Sequence, residues 1–181
     1  MADVLRLCLD LNIWVAALLA EAKGRQGTAC QELVEIVRRG RCLSQPVQLI
    51  ISWGMLNRLR QVLVQKLQVS TPTAERYLET ITAYAQLGAM DASPQLTLGG
   101  TGIVPIRDSE DAHVLETAIS GKAQVLVTAN FKDFITKNTE IILPQRHAIQ
   151  LTPDCGFQIV HPYLFMEWIR EGKIPDIDSS I

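Results

Sequence analysis

The chain holds no stretch long and apolar enough to cross a bilayer. Its longest unbroken apolar run, Ile13 to Ala20, falls well short of the roughly 20 residues a spanning helix needs. Near the N-terminus, Asp10 and Asn12 interrupt the apolar region that a secretory leader requires, so a cytoplasmic location with no membrane partner is expected. A surplus of one charge is missing too. Lys and Arg number 17, Asp and Glu 19, and the formal net charge is -2. That balance excludes a whole-surface positive field as the means of gripping nucleic acid; such contact would need local basic patches or a metal ion. Cysteine is sparse. Cys8, Cys30, Cys42 and Cys155 show neither CxxC spacing nor histidine neighbours, which argues against a zinc site or a disulfide framework and for free thiols in a reducing compartment. Internal repeats and low-complexity tracts are lacking.

What is present is a foldable domain. Of 181 residues, 48% are hydrophobic and 20% charged, enough apolar surface for a real core. One domain is expected over residues 1–173, with a loose tail at 174–181. Leu5–Asp10 predicts a buried strand, followed by helices over about Ile13–Lys23 and Thr28–Arg39. A strand is expected over Val47–Ile51 after Pro46, then helices over about Trp53–Leu67, capped by Ser52, and Thr71–Gly88, capped by Thr71. Ala89–Gly102 is expected as a loop, Ile103–Ile106 as a short strand, and the acidic turn Asp108–Asp111 as the start of a helix that ends at Gly121. The apolar run Gln124–Thr128 predicts a strand covered on both faces. A helical turn at Phe131–Phe134, a polar loop over Thr136–Ala148, a strand at Phe157–Val160 and a helix over Pro162–Arg170 complete the order. Strands alternating with helices predict a three-layer α/β/α sandwich around a mainly parallel central sheet.

In such a sheet functional residues gather at the carboxyl ends of the strands. Asp10 and Asn12 follow the first strand, Ser52 the second, Asp108 and Asp111 the third, and Asn130 and Asp133 the fourth. Each alone has an ordinary structural reading as a turn or capping residue. Their coincidence at one edge is harder to explain that way. Two carboxylates about 4 Å apart repel by about 4 kcal/mol at an effective dielectric near 20. A fold keeps such a pair when a cation sits with it or when one acid is protonated. Hard oxygen ligands in an incomplete shell suit Mg²⁺ or Mn²⁺, with room for water and a phosphate oxygen. The chemistry this implies is phosphodiester hydrolysis by a metal-activated water.

Four segments resemble the PIN domain, the fold of the ribonuclease toxins of bacterial toxin–antitoxin pairs. LDLNIWVAALL is similar to the family's opening strand with its D-x-N signature. ISWGMLNRLRQVL is similar to the later strand–helix unit. DSEDAHVLETAISGKAQVLVTAN, followed by FKDF, is similar to the acid-opened helix and the strand ending in V-T-x-D or V-T-x-N. FQIVHPYLFMEWI is similar to the closing strand and Pro-started helix. The resemblance implies Asp10 and Asp111 as metal-binding acids, Asn12 as the amide supporting Asp10, and Asp108, Asn130 and Asp133 as further site residues. It implies Mg²⁺ or Mn²⁺ as cofactor, single-stranded or structured RNA as substrate, and an antitoxin protein as partner. A homodimer is also implied, with the Thr71–Gly88 helix as one face.

The chain departs from the family pattern at one point. The family usually carries a Glu six residues after the serine that opens the second segment; here that position is Arg58, preceded by Asn57. Measured from Leu59, Arg58 lies about 100° round the helix, on the border of the buried face, and Asn57 lies nearly opposite. An anion is thus replaced by a cation. Arg58 can neutralise the acids and displace a metal, or swing outward with Ser52 nearby to hold an RNA phosphate. Two functions therefore stay open: a metal-dependent endoribonuclease, and a catalytically degenerate module that binds RNA or a protein without cutting. A DNA-directed flap-type nuclease is a third, weaker reading.

Overall fold

Four short apolar runs set the centre of the fold, because each buries side chains on both faces and so must lie between two helical layers. In the computed structural model, which describes residues 4–90, 94, 109–152 and 156–177, these runs are β1 (Leu5–Leu9), β3 (Gln45–Ile50), β4 (Val125–Val127) and β7 (Gly156–Val160). They pair in parallel, β3 with β1, β1 with β4, and β4 with β7. Antiparallel additions extend both sides: β2 (Arg41–Cys42) on β3, and the hairpin β5 (Thr139–Leu143) and β6 (His147–Leu151) on β7. The seven strands run in the order β2-β3-β1-β4-β7-β6-β5. The α/β sandwich with a mainly parallel central sheet expected from the sequence is the observed fold, the antiparallel strands lying at its two sides.

The helices follow their capping chemistry. α1 (Leu11–Ala22) begins at Asp10, and α2 (Ala29–Arg39) at a capping box between Thr28 and Gln31. α3 (Trp53–Gln61) is capped by Ser52 and passes into a π-helical turn over Val62–Lys66, so the expected helix to Leu67 is α-helical only in its first part. α4 (Thr71–Gln86) is capped by Ser70, with Thr71 as its first helical residue instead of its cap. α5 spans Ser109–Ser120 and α6 spans Pro162–Glu171. The expected strand Ile103–Ile106 and most of the expected loop before it lie outside the described residues.

Two expectations are corrected. The polar loop over Thr136–Ala148 is in fact most of the β5–β6 hairpin. Its turn runs through Pro144 and Gln145, the latter with φ of 59°. The chain after α6 is not loose where it is described: Ile174 packs against the core, and the Pro175 carbonyl accepts from Gln158 Nε2 at 2.7 Å.

The topology fixes where a site can form. The chain passes from β1 to β3 on one side and then returns across β1 to β4. The crevice at the carboxyl ends of β1 and β4 is therefore the point at which the winding reverses, where α/β sheets hold ligands. The direction of α5 follows from two contacts. Thr117 Oγ1 lies 2.9 Å from Ser52 Oγ, just beyond the end of β3. One helical turn later, a Cβ on Gly121 would lie 2.1 Å from Ile50 Cγ2, further back along the same strand. So α5 runs antiparallel to β3, and its first turn, with Asp111, projects about 9 Å beyond Thr117 at the carboxyl edge.

Candidate active site at the β1–β4 crevice

Asp10 sits at this crevice because β1 ends there and α1 begins. Its backbone N–H bonds the Val127 carbonyl at 3.0 Å, tying the end of β1 to the end of β4. Its carboxylate is only 4% exposed, yet each oxygen has donors. Oδ1 accepts from Leu11 N at 2.6 Å, the capping bond of α1. Oδ2 accepts from Asn12 Nδ2 at 2.6 Å and from Thr128 Oγ1 at 2.7 Å. Asn12 also reaches the β4 side, where its Oδ1 accepts from Ala129 N at 3.3 Å. The D-x-N pair is thus a clamp across two strand ends: the first residue is the anion, and the third fixes its orientation.

Past β4 the chain turns into a 3₁₀ segment, Phe131–Phe134. Thr128 Oγ1 accepts from Asn130 N at 3.0 Å, and Asn130 Nδ2 donates to Asp133 Oδ2. Burial pushes the Asp10 carboxyl up to about 6, against the bonds from Thr128, Leu11 and Asn12, which favour the ionised form; the negative charge of Asp133 pushes it further up. Desolvation wins over three hydrogen bonds and a helix N-terminus. Asp133 is thus a second carboxylate close enough to act on Asp10.

Asp10, Asn12, Asn130 and Asp133 are therefore brought together. Thr128, which no sequence argument had singled out, is their common partner; the signal available was a hydroxyl at the end of a fully apolar strand, which must find a partner once buried. Asp111 stands at the same edge, half-buried in the first turn of α5. Asp108 lies outside the described residues. Ser52 is fully buried: its hydroxyl caps α3 by accepting from Met55 N at 3.1 Å and accepts from Thr117 Oγ1 at 2.9 Å, so it positions α3 against α5. Arg58 is half-buried and Asn57 exposed, as helical phase requires, and Arg58 Nη1 donates to Gln61 Oε1 at 2.9 Å. His113 Nδ1 is buried and has no hydrogen-bond partner among the described residues.

The donor set tests the expected metal. Among the described residues no group of three or more His, Cys, Asp or Glu forms a metal cage. The Asp10 carboxylate, with Asp133 within electrostatic reach and amide and hydroxyl oxygens beside it, matches a hard dication that keeps much of its own water, and does not match zinc or copper. The donor chemistry is that of a hard divalent cation held by few protein ligands.

Among known families, residues 6–132 match the PIN domain. No curated protein and no solved structure matches the chain. The matched stretch runs from β1 past β4, takes in Asp10, Asn12, Asp111, Thr128 and Asn130, and stops one residue before Asp133. The family is of nuclease type, and its members generally use divalent metal ions. With more than half of its length matched, and with its paired strand ends holding Asp10 at the winding reversal, the chain belongs to the PIN domain family.

Proposed function

We propose that the chain is a metal-dependent endoribonuclease that hydrolyses phosphodiester bonds in single-stranded or structured RNA, and that it is the toxin component of a cytoplasmic toxin–antitoxin pair. The observation that carries this reading is the state of Asp10: buried at the topological crevice, gripped by Asn12 and Thr128, and within electrostatic reach of Asp133. Proteins seldom keep a desolvated carboxylate beside another unless a cation uses it.

Asp10 and Asp111 are the proposed ligands of Mg²⁺ or Mn²⁺, which when bound would neutralise charge on the phosphate and lower the pKa of a water. Asn12 and Thr128 hold Oδ2 of Asp10 in one orientation. Asp133, oriented by Asn130, accepts the proton of the attacking water. The water oxygen joins phosphorus, the bond to the leaving ribose oxygen breaks, and that oxygen takes up a proton from a solvent water. A homodimer through α4 is supported by Trp53, exposed beside the Leu56 and Leu78 hollow between α3 and α4.

The second reading is a degenerate module that binds RNA or a protein partner without cutting. Arg58 in place of the usual Glu favours it. Calorimetric titration with Mn²⁺ separates the two. Binding by the wild type that vanishes in Asp111→Ala supports the nuclease. Silence in the wild type with binding in Arg58→Glu supports the module.

A further inference from the structure

Three large surface hollows differ in charge. The hollow beside α2 contains Glu32 and Glu35 along with its arginines, and Glu35 is already bonded to Arg38 and Arg39. The hollow between α3 and α4 contains the Arg60–Glu75 pair. The third, a cavity of about 410 Å³ between α1 and the start of α6, is different. Among the described residues that line it none is acidic, while Lys23 and Arg25 both border it. Neither cation takes part in an ion pair among the described residues.

The position of this cavity ties it to the crevice. Ala129, whose N–H holds Asn12, is part of its wall. Along α1, Asn12, Ala16, Ala20 and Lys23 fall at intervals of four, four and three, one stripe of the helix. Asn12 holds Asp10 at one end, Ala16 and Ala20 line the cavity in the middle, and Lys23 ends the stripe about 16 Å away. Across the cavity Tyr163, 63% exposed, lies with its ring centroid 5.2 Å from that of His161. An exposed aromatic beside unpaired cations, on a path leading from a phosphodiester site, has the make-up of single-strand nucleic-acid grooves.

We infer that this cavity is a subsite for a nucleotide flanking the scissile one, with its base against Tyr163 and its phosphates on Lys23 and Arg25. The inference rests on the nuclease reading, because that reading places the scissile phosphate at Asp10. Burial and the nearby Arg146 charge hold His161 below its usual range, so its ring serves as a neutral neighbour of Tyr163 and the phosphate charge falls to Lys23 and Arg25. The capping box at Thr28 closes the nearby end of α2, which leaves recognition to side chains.

The test is fluorescence anisotropy with a short fluorescein-labelled single-stranded RNA, in EDTA to prevent cleavage, with cleavage in Mn²⁺ measured separately. Tyr163→Ala is expected to weaken binding about tenfold. Lys23→Gln with Arg25→Gln is expected to lower the slope of log affinity against log salt by about 1.4. Lys66→Gln, remote from the cavity, leaves both unchanged. All these side chains are exposed, so folding is preserved. A wild type that cleaves RNA while the cavity variants bind as it does would overturn the subsite and leave the nuclease intact. Cavity-dependent binding without cleavage by the wild type would keep the cavity as an RNA-binding site but overturn its place beside a scissile phosphate, together with the nuclease reading. An acidic peptide that binds through Lys23 and Arg25 where RNA does not would assign the cavity to a protein partner and overturn the inference.

Discussion

Thr128 Oγ1 donates to Asp10 Oδ2 at 2.7 Å, joining positions 118 residues apart in the chain. The same oxygen accepts from Asn130 N, so one hydroxyl fixes both the buried acid and the turn that carries Asp133. Thr128→Val keeps the shape and removes the hydroxyl. It is expected to cost about 2 kcal/mol in urea unfolding, since a charged acceptor loses a buried donor. RNA cleavage should fall with it, and Thr128→Ser should restore both. Equal stability of Thr128→Val and wild type would show that the bond does not hold the site.

The ionisation of Asp10 links folding to pH. Its carboxyl lies near 6 when folded against an ordinary 3.8, so between those values the folded state binds the proton more tightly than the unfolded state. The stabilisation from that proton is complete below about 3.8 and is lost as pH rises through about 6. Relative to Asp10→Asn, which does not titrate, the wild type is expected to lose about 2 kcal/mol between pH 4 and pH 7.5. Parallel stability profiles for the two proteins would contradict the burial argument.

A dication should reverse that loss. At pH 7.5, Mn²⁺ at about a hundred times its Kd is expected to add about 2.7 kcal/mol to stability. The gain should shrink at pH 5, where protons compete for Asp10, and disappear in Asp10→Ala and Asp111→Ala. A rise in Tm that survives both substitutions would place the ion elsewhere.

Gly121 sets the height of α5 on the sheet. A Cβ there would meet Ile50 Cγ2 at 2.1 Å and the Thr117 carbonyl at 3.1 Å, and a β-branched neighbour in the core has little freedom to yield. Gly121→Ala is expected to cost about 1–3 kcal/mol and, by displacing α5, to reduce cleavage more than Mn²⁺-independent RNA binding. Unfolding curves and cleavage rates measured on one preparation check both.

Strands buried on both faces and helices opened by strong caps were legible in the sequence, because apolar runs and capping residues act locally. The β5–β6 hairpin was not. Ile141, Ile142 and Leu143 are all exposed on the sheet edge, so they give neither the alternation nor the buried run by which strands are recognised. The anions of the site were legible as acids at strand ends. Thr128 was not, because its role comes from burial and from a partner across the sheet. Ser52 is a related case: its place at a strand end is visible in the sequence, but its contact with Thr117 depends on how α5 lies on β3.

The most direct test is single-turnover cleavage of single-stranded RNA by the purified chain, with Mn²⁺ and with EDTA, for the wild type and Asp10→Asn. Cleavage that requires the metal and falls about a hundredfold or more in Asp10→Asn is expected. Cleavage that persists in EDTA, or proceeds equally in the variant, would contradict a nuclease site centred on Asp10.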